Sequence, residues 1–289
     1  MTETIAWRGA GPRSLLFVPG DKAESLLLRA AQSGADGVII DLEDAVAPAA
    51  KEKARQIAAA SLASADLPIP VVIRVNPVGS PWFEIDVAVV LTAGATGIAL
   101  PKCEDVGSVA ALCDLLGTAP VAIIPMIETA RGVLTADAIA DADPRVVGLA
   151  FGAEDFSAQM GLRRSRSGSE LLHARSQVIL AAVAAGRWAL DSPCTEPHGV
   201  HATRREANLA RTLGYAGKLV IHPAQVEPVH DAFSPTPDEL ETARAVLEAF
   251  GAMMHERSGV KMVEGRMIDR PVVIAAQRVL ARAGLGVEE

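Results

Sequence analysis

The chain predicts a TIM-type (β/α)₈ barrel followed by a C-terminal helical lid or oligomerisation extension. Three features point there. Eight short apolar runs alternate with amphipathic stretches, a rhythm that implies a mostly parallel sheet covered by helices. The 289 residues, 50% of them hydrophobic, are enough for one large core, since a single α/β barrel takes about 250 residues. Aromatic residues make up only 3%, so Val, Ile, Leu and Ala must fill an interior of the kind a parallel sheet buries on both faces. An open doubly wound sheet is the structural alternative. Eight beats suit closure better, and no Gly-x-Gly-x-x-Gly follows the first strand.

The first strand is expected over 14–18, ended by Pro19 and Gly20, with Asp21 as N-cap of a helix reaching Gln32. The second covers 37–42 and precedes an Ala/Lys/Glu/Arg-rich helix over 49–62. Strands three to six are expected over 71–75, 97–100, 121–126 and 146–151. A weak seventh lies over 188–190, and the eighth over 218–221. Helical segments fall between them at 82–93, 105–117, 131–140, 168–185 and 202–213. The barrel is thus assigned to 13–230 and the extension to 231–289. In the extension, Ser234-Pro235-Thr236-Pro237 breaks the pattern, a helix follows over 238–250, a turn-rich stretch over 259–270, and a last helix over 272–283.

Composition excludes several functions. A formal net charge of -8 makes the chain a poor non-specific partner for nucleic acid or an anionic membrane. No run approaches the roughly 18 apolar residues of a membrane span. Cys103, Cys113 and Cys194 show no metal-type spacing, and an odd count suits reduced thiols in a cytoplasm. Residues 1–11 lack a basic region followed by an apolar stretch, and Arg8 is almost alone there, so neither secretion nor an organellar address is expected.

In a (β/α)₈ barrel the chemistry sits at the carboxyl ends of the strands. The ionisable residues found there are Asp41, Glu43 and Asp44 after strand two, Arg74 on strand three and Lys102 after strand four. Glu128 follows strand five, Asp155 strand six, Asp191 strand seven and His222 strand eight. So many charges are costly to desolvate without ligands or partners. Glu128 and Asp155 come from adjacent strands and can share one ion. Two carboxylates, several waters and an oxygen-rich substrate make a Mg²⁺ site. Capping of the following helices is the alternative for each of them. Arg74 has the planar fork that grips a carboxylate, and it can equally pair with Asp41 or Glu43, which would then hold Arg74 or metal-bound water. Lys102 suits a salt bridge to this acidic cluster, with a Schiff-base role as its rival. His222 reads as a structural histidine, with a base as the rival. The basic loop of Arg163, Arg164 and Arg166 is open to phosphate or to solvent.

These residues lie in an ordered set of longer motifs. They are Arg13-Ser14-Leu15-Leu16-Phe17-Val18-Pro19-Gly20, Asp41-Leu42-Glu43-Asp44-Ala45-Val46, Arg74-Val75-Asn76, Pro101-Lys102 and Ile127-Glu128-Thr129-Ala130. Then come Phe151-Gly152-Ala153-Glu154-Asp155-Phe156, Lys218-Leu219-Val220-Ile221-His222-Pro223-Ala224-Gln225 and Lys261-Met262-Val263-Glu264-Gly265-Arg266-Met267-Ile268-Asp269. The set resembles the citrate lyase β-subunit-like proteins of the HpcH/HpaI aldolase superfamily, over almost the whole chain. The resemblance implies a TIM-type barrel that binds Mg²⁺ and acts on acyl-CoA or acyl-carrier thioesters. It makes Glu128 and Asp155 the metal ligands and Arg74 the residue that holds the substrate carboxylate and polarises the oxo group. It makes Asp269 an acid–base aspartate inserted from a neighbouring subunit, which implies a homotrimer or hexamer, and Lys22 a contact for CoA phosphates. The segment Asp191-Ser192-Pro193-Cys194-Thr195-Glu196-Pro197-His198 departs from the more acidic family run, and His198 and His201 are unusual.

The implied activity is reversible cleavage of a 3-hydroxyacyl thioester, such as malyl-, citramalyl- or citryl-CoA, into an acyl thioester and a 2-oxo acid or oxaloacetate. The competing readings are a lysine-dependent aldolase using Lys102, a metal-dependent aldolase of free 4-hydroxy-2-oxo acids, and a non-catalytic oxo-acid-binding protein.

Overall fold

A computed structural model of the protein describes residues 10–64, 67–256, 261–263 and 266–285. Eight parallel strands close into a barrel in sequence order. They are β1 (Ser14–Pro19), β2 (Gly37–Asp41), β3 (Val71–Arg74), β4 (Gly97–Leu100), β5 (Ala122–Ile127), β6 (Gly148–Phe151), β7 (Trp188–Asp191) and β8 (Gly217–Val220), and β8 pairs back to β1 with Lys218 opposite Ser14. The helices α1 (Ala23–Ala31), α2 (Lys51–Ser64), α3 (Phe83–Ala93) and α4 (Val106–Leu116) follow the first four strands. After β5 come α5 (Ala130–Leu134) and α6 (Ala136–Ala140), and after β6 come α7 (Ala153–Met160) and α8 (Leu172–Ala184). The last two barrel strands lead into α9 (Val200–Leu213) and α10 (Val226–Phe233).

The period-two alternation of strand side chains divides the core into two layers. Leu15, Ile39, Val72, Ala99, Ile124, Ala150, Leu190 and Leu219, one from each strand, point into the barrel and pack on one another. Their chain neighbours Leu16, Ile40, Ile73, Ile98, Ile123, Leu149, Ala189 and Val220 point out and pack with the helices. An aromatic joins the aliphatic interior: Trp188 sits inside the barrel, and Gly148 makes room for it. A Cβ at Gly148 would lie 2.1 Å from the Trp188 ring.

The same parity sorts the charged strand ends. Asp41 and Arg74 stand two residues beyond inward Ile39 and Val72, and Glu128 stands two beyond inward Met126, so all three face the mouth of the barrel. Asp191 directly follows inward Leu190 and therefore points outward. It accepts two hydrogen bonds from Arg175 of α8, both 3.0 Å, and one from Lys218 Nζ at 2.7 Å. Its place among strand-end candidates for a site is corrected accordingly: Asp191 ties β7 and β8 to the helix layer.

Other local differences have local causes. Asp21 makes no capping bond, because residues Gly20–Lys22 form a 3-10 turn that supplies the first carbonyl to α1. The helix expected at 131–140 breaks into α5 and α6 at Thr135, whose hydroxyl donates to the Glu104 carbonyl at 2.6 Å. The short helices α7 and α10 lie in stretches where no helix was expected. No helix among the described residues is long and apolar enough to cross a membrane.

The chain divides into two compact units, at Phe233 and Ser234. The second contains α11 (Pro237–Glu256), an antiparallel pair β9 (Lys261–Val263) and β10 (Arg266–Ile268), and α12 (Arg270–Arg282). Ala243 of α11 packs with Ala276 and Leu280 of α12. Glu264 and Gly265 of the tail motif lie outside the described residues, as does Arg8.

Candidate active site

The loop after β2 is built to hold Arg74. Asp41 accepts the backbone N–H groups of Glu43 and Ala45, at 2.8 and 3.0 Å, which curls the loop back over the strand end. The same carboxylate takes Arg74 Nε and Nη2 side by side, at 2.7 and 2.6 Å. Arg74 Nη1 lies 3.0 Å from Glu43 Oε2, and the guanidinium stacks 5.0 Å from the centre of the Phe17 ring. Burial alone would lower the Arg74 pKa, but the bonds to Asp41 and the charges of Asp41, Glu43 and Glu128 outweigh it and hold the group cationic. Lys51 fixes the loop from below, donating to the carbonyls of Leu42 and Glu43 at 2.7 and 2.6 Å. Asn76 Nδ2 also donates to the Leu42 carbonyl, and buried Asp86 holds Asn76 in turn.

Glu128 is 1% exposed at the end of β5. Its Oε1 accepts the backbone N–H of Lys102 at 2.6 Å. That geometry requires Lys102 to adopt φ +49, the sole positive φ of a non-glycine residue among the described ones. Such local strain is kept where surrounding contacts demand it. The Lys102 amine forms an ion pair with Glu43. Gly152, at the end of β6, lets the Glu128 side chain lie against the backbone: a Cβ there would fall 2.4 Å from Glu128 Oε2.

Neither predicted metal carboxylate is used as a helix cap. Thr129 caps α5 in place of Glu128, and α7 has no side-chain cap although Asp155 sits in its first turn. Both acids line one cavity of about 430 Å³ at the mouth of the barrel. Asp41, Asp44 and Glu154 line it too, and among the described residues Arg74 is the one cationic group in its wall. Burial, with the charge of Glu43 next, pushes the Glu128 carboxyl up to about 8. Burial also raises Glu43 despite Arg74 and Lys102. Glu43 Oε2 is buried and has no aligned hydrogen bond. A site with this surplus of crowded acid groups fits a cation. Among the described residues no three His, Cys, Asp or Glu groups gather around one point, so a cation would complete its shell with water and substrate oxygens.

The structure therefore brings together Asp41, Glu43, Arg74, Lys102, Glu128 and Asp155. Lys102 has a raised pKa, since the bond and charge of Glu43 outweigh the lowering by burial, the reverse of what a Schiff-base amine needs. Lys22 is exposed in the 3-10 turn directly after β1. His222 caps the 3-10 turn after β8, its Nδ1 accepting from Ala224 N at 3.2 Å. Asp269 belongs to the second unit and caps α12, accepting from Val272 N at 3.2 Å. Sequence reasoning missed Ser192, whose hydroxyl donates to the Phe151 carbonyl and accepts from Ala153 N, clamping the turn that leads to Asp155. It also missed the role of Gly152, although that glycine stands inside a motif with two acids.

Residues 13–223 match the HpcH/HpaI aldolase/citrate lyase family. A citrate lyase subunit beta-like protein of Deinococcus radiodurans is 39% identical over 276 residues, 93% of this chain and 96% of that one. A (3S)-malyl-CoA thioesterase of Cereibacter sphaeroides is 33% identical over 272 residues, 94% of each. The solved structure of the protein CitE of Mycobacterium tuberculosis, in complex with magnesium, acetoacetate and coenzyme A, superposes with a TM-score of 0.79 at 36% identity, covering 94% of this chain and 98% of that one. Matched along nearly its whole length, the chain belongs to the HpcH/HpaI aldolase/citrate lyase family and is a carbon–carbon lyase.

Proposed function

We propose that this lyase uses Mg²⁺ to cleave, or to form, a 3-hydroxyacyl thioester of the malyl-, citramalyl- or citryl-CoA type, giving an acyl thioester and a 2-oxo acid or oxaloacetate. One observation carries the reading: Glu128 and Asp155, neither used as a helix cap, line one cavity with Arg74, and burial there holds the Glu128 carboxyl up at about 8 until a cation offsets its charge. The relative solved with magnesium, acetoacetate and coenzyme A supports the ligand classes.

We assign Glu128 and Asp155 as the protein ligands of the ion. Bound there, Mg²⁺ supplies Lewis acidity that lowers the pKa of the substrate hydroxyl and favours the developing oxo group. Arg74 has five N–H bonds. Asp41 takes two of them and Glu43 faces a third, so one on Nη1 and one on Nη2 remain to grip the substrate carboxylate and the nascent oxo oxygen. Asp41 and Glu43 orient that fork, and Lys102 keeps Glu43 in place. In cleavage the hydroxyl gives up its proton to water, the bond between its carbon and the carbon next to the thioester breaks, and the electron pair passes into the thioester as an enolate. Asp269, delivered by a neighbouring copy in a trimer or hexamer, returns a proton to that carbon, or removes it in condensation. Lys22, exposed after β1, meets the phosphates of the CoA.

The test is a panel of malyl-, citramalyl- and citryl-CoA, with the free acids and 4-hydroxy-2-oxo acids as controls, in Mg²⁺ and in EDTA. Oxo acid and acyl thioester should appear together and only with the metal. Turnover of the free acids alone would replace this reading with a free-acid aldolase. Release of free CoA without carbon–carbon cleavage would indicate a thioesterase like the Cereibacter relative. Asp269→Ala should bind oxo acid with Mg²⁺ and lose turnover. If it turns over normally, the proton-transfer assignment fails.

A further inference from the structure

The basic loop after β6 has no role in the lyase reaction proposed above. It forms one wall of a second, smaller cavity of about 100 Å³. The opposite wall comes from α8, α9 and the outward faces of β7 and β8. Two cations there are almost fully buried, Arg175 at 5% and Lys218 at 1% exposed. Both pair with the same carboxylate, Asp191. The next acid, Glu206, lies 3.4 Å from Lys218 and is itself partly exposed. Two more guanidiniums, Arg166 and Arg205, line the cavity, and neither meets an acidic partner among the described residues. Arg164 is already taken by Glu154 and Glu170.

The charges do not balance. Five cations line the cavity, Arg164, Arg166, Arg175, Arg205 and Lys218, against Asp191 and Glu206. Counting Glu154 and Glu170 at the rim still leaves a positive charge over. The two buried cations are matched by Asp191 and Glu206, so the surplus lies on the exposed Arg166 and Arg205, which line the same cavity, and an anion there would balance it. Ser165 and Ser167 line the cavity too, the Ser165 hydroxyl donating to Glu170 and the Ser167 hydroxyl bonded to those of Ser165 and Ser169. The cavity is large enough for one tetrahedral oxyanion. Forked guanidiniums are groups that grip phosphate.

We propose that this cavity, walled by the loop after β6 and by Arg175, Arg205 and Lys218, binds a single phosphate group, free or carried at the end of a larger molecule. The site abuts the lyase cavity, with which it shares Ala153 and Pro193, and needs neither metal nor turnover. Its test is therefore independent of the reaction assigned above.

The experiment is calorimetric titration of the full chain, in EDTA and chloride buffer, with inorganic phosphate. One phosphate per chain should bind. Arg166→Gln and Arg205→Gln should each weaken binding at least about tenfold, as loss of a charge-assisted hydrogen bond implies. Both side chains are exposed and unpaired, so the phosphate-free melting temperature should not move. No saturable binding at tens of millimolar, or unchanged affinity in the double variant, would overturn the proposal. Competition separates the sources. Displacement of phosphate by coenzyme A but not by pantetheine assigns the site to a carried phosphate, and displacement by neither assigns it to the free ion. Displacement by pantetheine, which has no phosphate, would sink the assignment.

Discussion

Replacing Glu128 with Gln removes a charge and keeps the shape of the side chain, including the oxygen that accepts from Lys102. In the metal-free fold, burial and then the charge of Glu43 push the Glu128 carboxyl from 4.5 up to about 8. The folded chain then holds a proton that the unfolded chain has already lost. The stability this group contributes is complete below pH 4.5 and disappears as the pH climbs to about 8. The full cost of ionising it is about 5 kcal/mol, of which about 2 is spent by about pH 6 and about 3 more by about pH 9. For a domain of this size that last step corresponds to a fall in melting temperature of roughly 5–10 °C. The assay is calorimetry or dye-based melting from about pH 6 to about pH 9, in EDTA and in excess Mg²⁺. Wild type should lose stability in EDTA as the pH rises and recover it with Mg²⁺. Glu128→Gln should lose most of that pH dependence and show no response to the metal. Parallel curves for the two proteins in EDTA would refute the buried-charge argument, and a surviving Mg²⁺ response in the variant would refute the ligand assignment.

Other perturbations test the supports of the site. Gly152→Ala should push Glu128 off its position, given the 2.4 Å clash with Oε2, and weaken Mg²⁺ binding measured by titration while the circular dichroism spectrum is kept. Asp191→Ala should cost about 3–5 kcal/mol in denaturant unfolding, because it strands two buried cations. Adding Lys218→Met to it should recover part of that loss. Lys102→Gly should relax the strained backbone and keep the bond to Glu128, yet lower kcat by freeing Glu43; an unchanged kcat would mean that Glu43 needs no such partner.

Most of the architecture was readable from the chain because the apolar runs carry strand position and parity together. Once the run ending at Leu42 is seen, period two puts Ile39 and Asp41 on one face. Position in a run, however, does not tell whether a terminal charge is the inward or the outward one. Asp191 looked equivalent to Asp41 because both end a strand, and only the packing of Trp188 and Leu190 inside the barrel shows that it faces the helices. The weak seventh run has the same origin: four residues with an aromatic at one end and a paired acid at the other leave little apolar signal. The acids of the site were legible as residue types at strand ends. Their supports were not, because Ser192 reaches the site across strands distant in sequence, and Lys51 and Asp86 do so by side-chain bonds from helices that strand periodicity does not encode.

Lys102 serves the two acids through different parts of itself. Its side chain is open to substitution, so the restraint on Glu43 can be lost in one mutational step. Its amide is common to every residue except proline, so the restraint on Glu128 survives most replacements at that position. Drift at residue 102 would thus erode the environment of Arg74 before that of Glu128, the proposed metal ligand. A degenerate relative would keep the capacity to bind an ion after it had lost the fine placement of its arginine, and binding-only descendants of such a lyase are the expected product of that asymmetry.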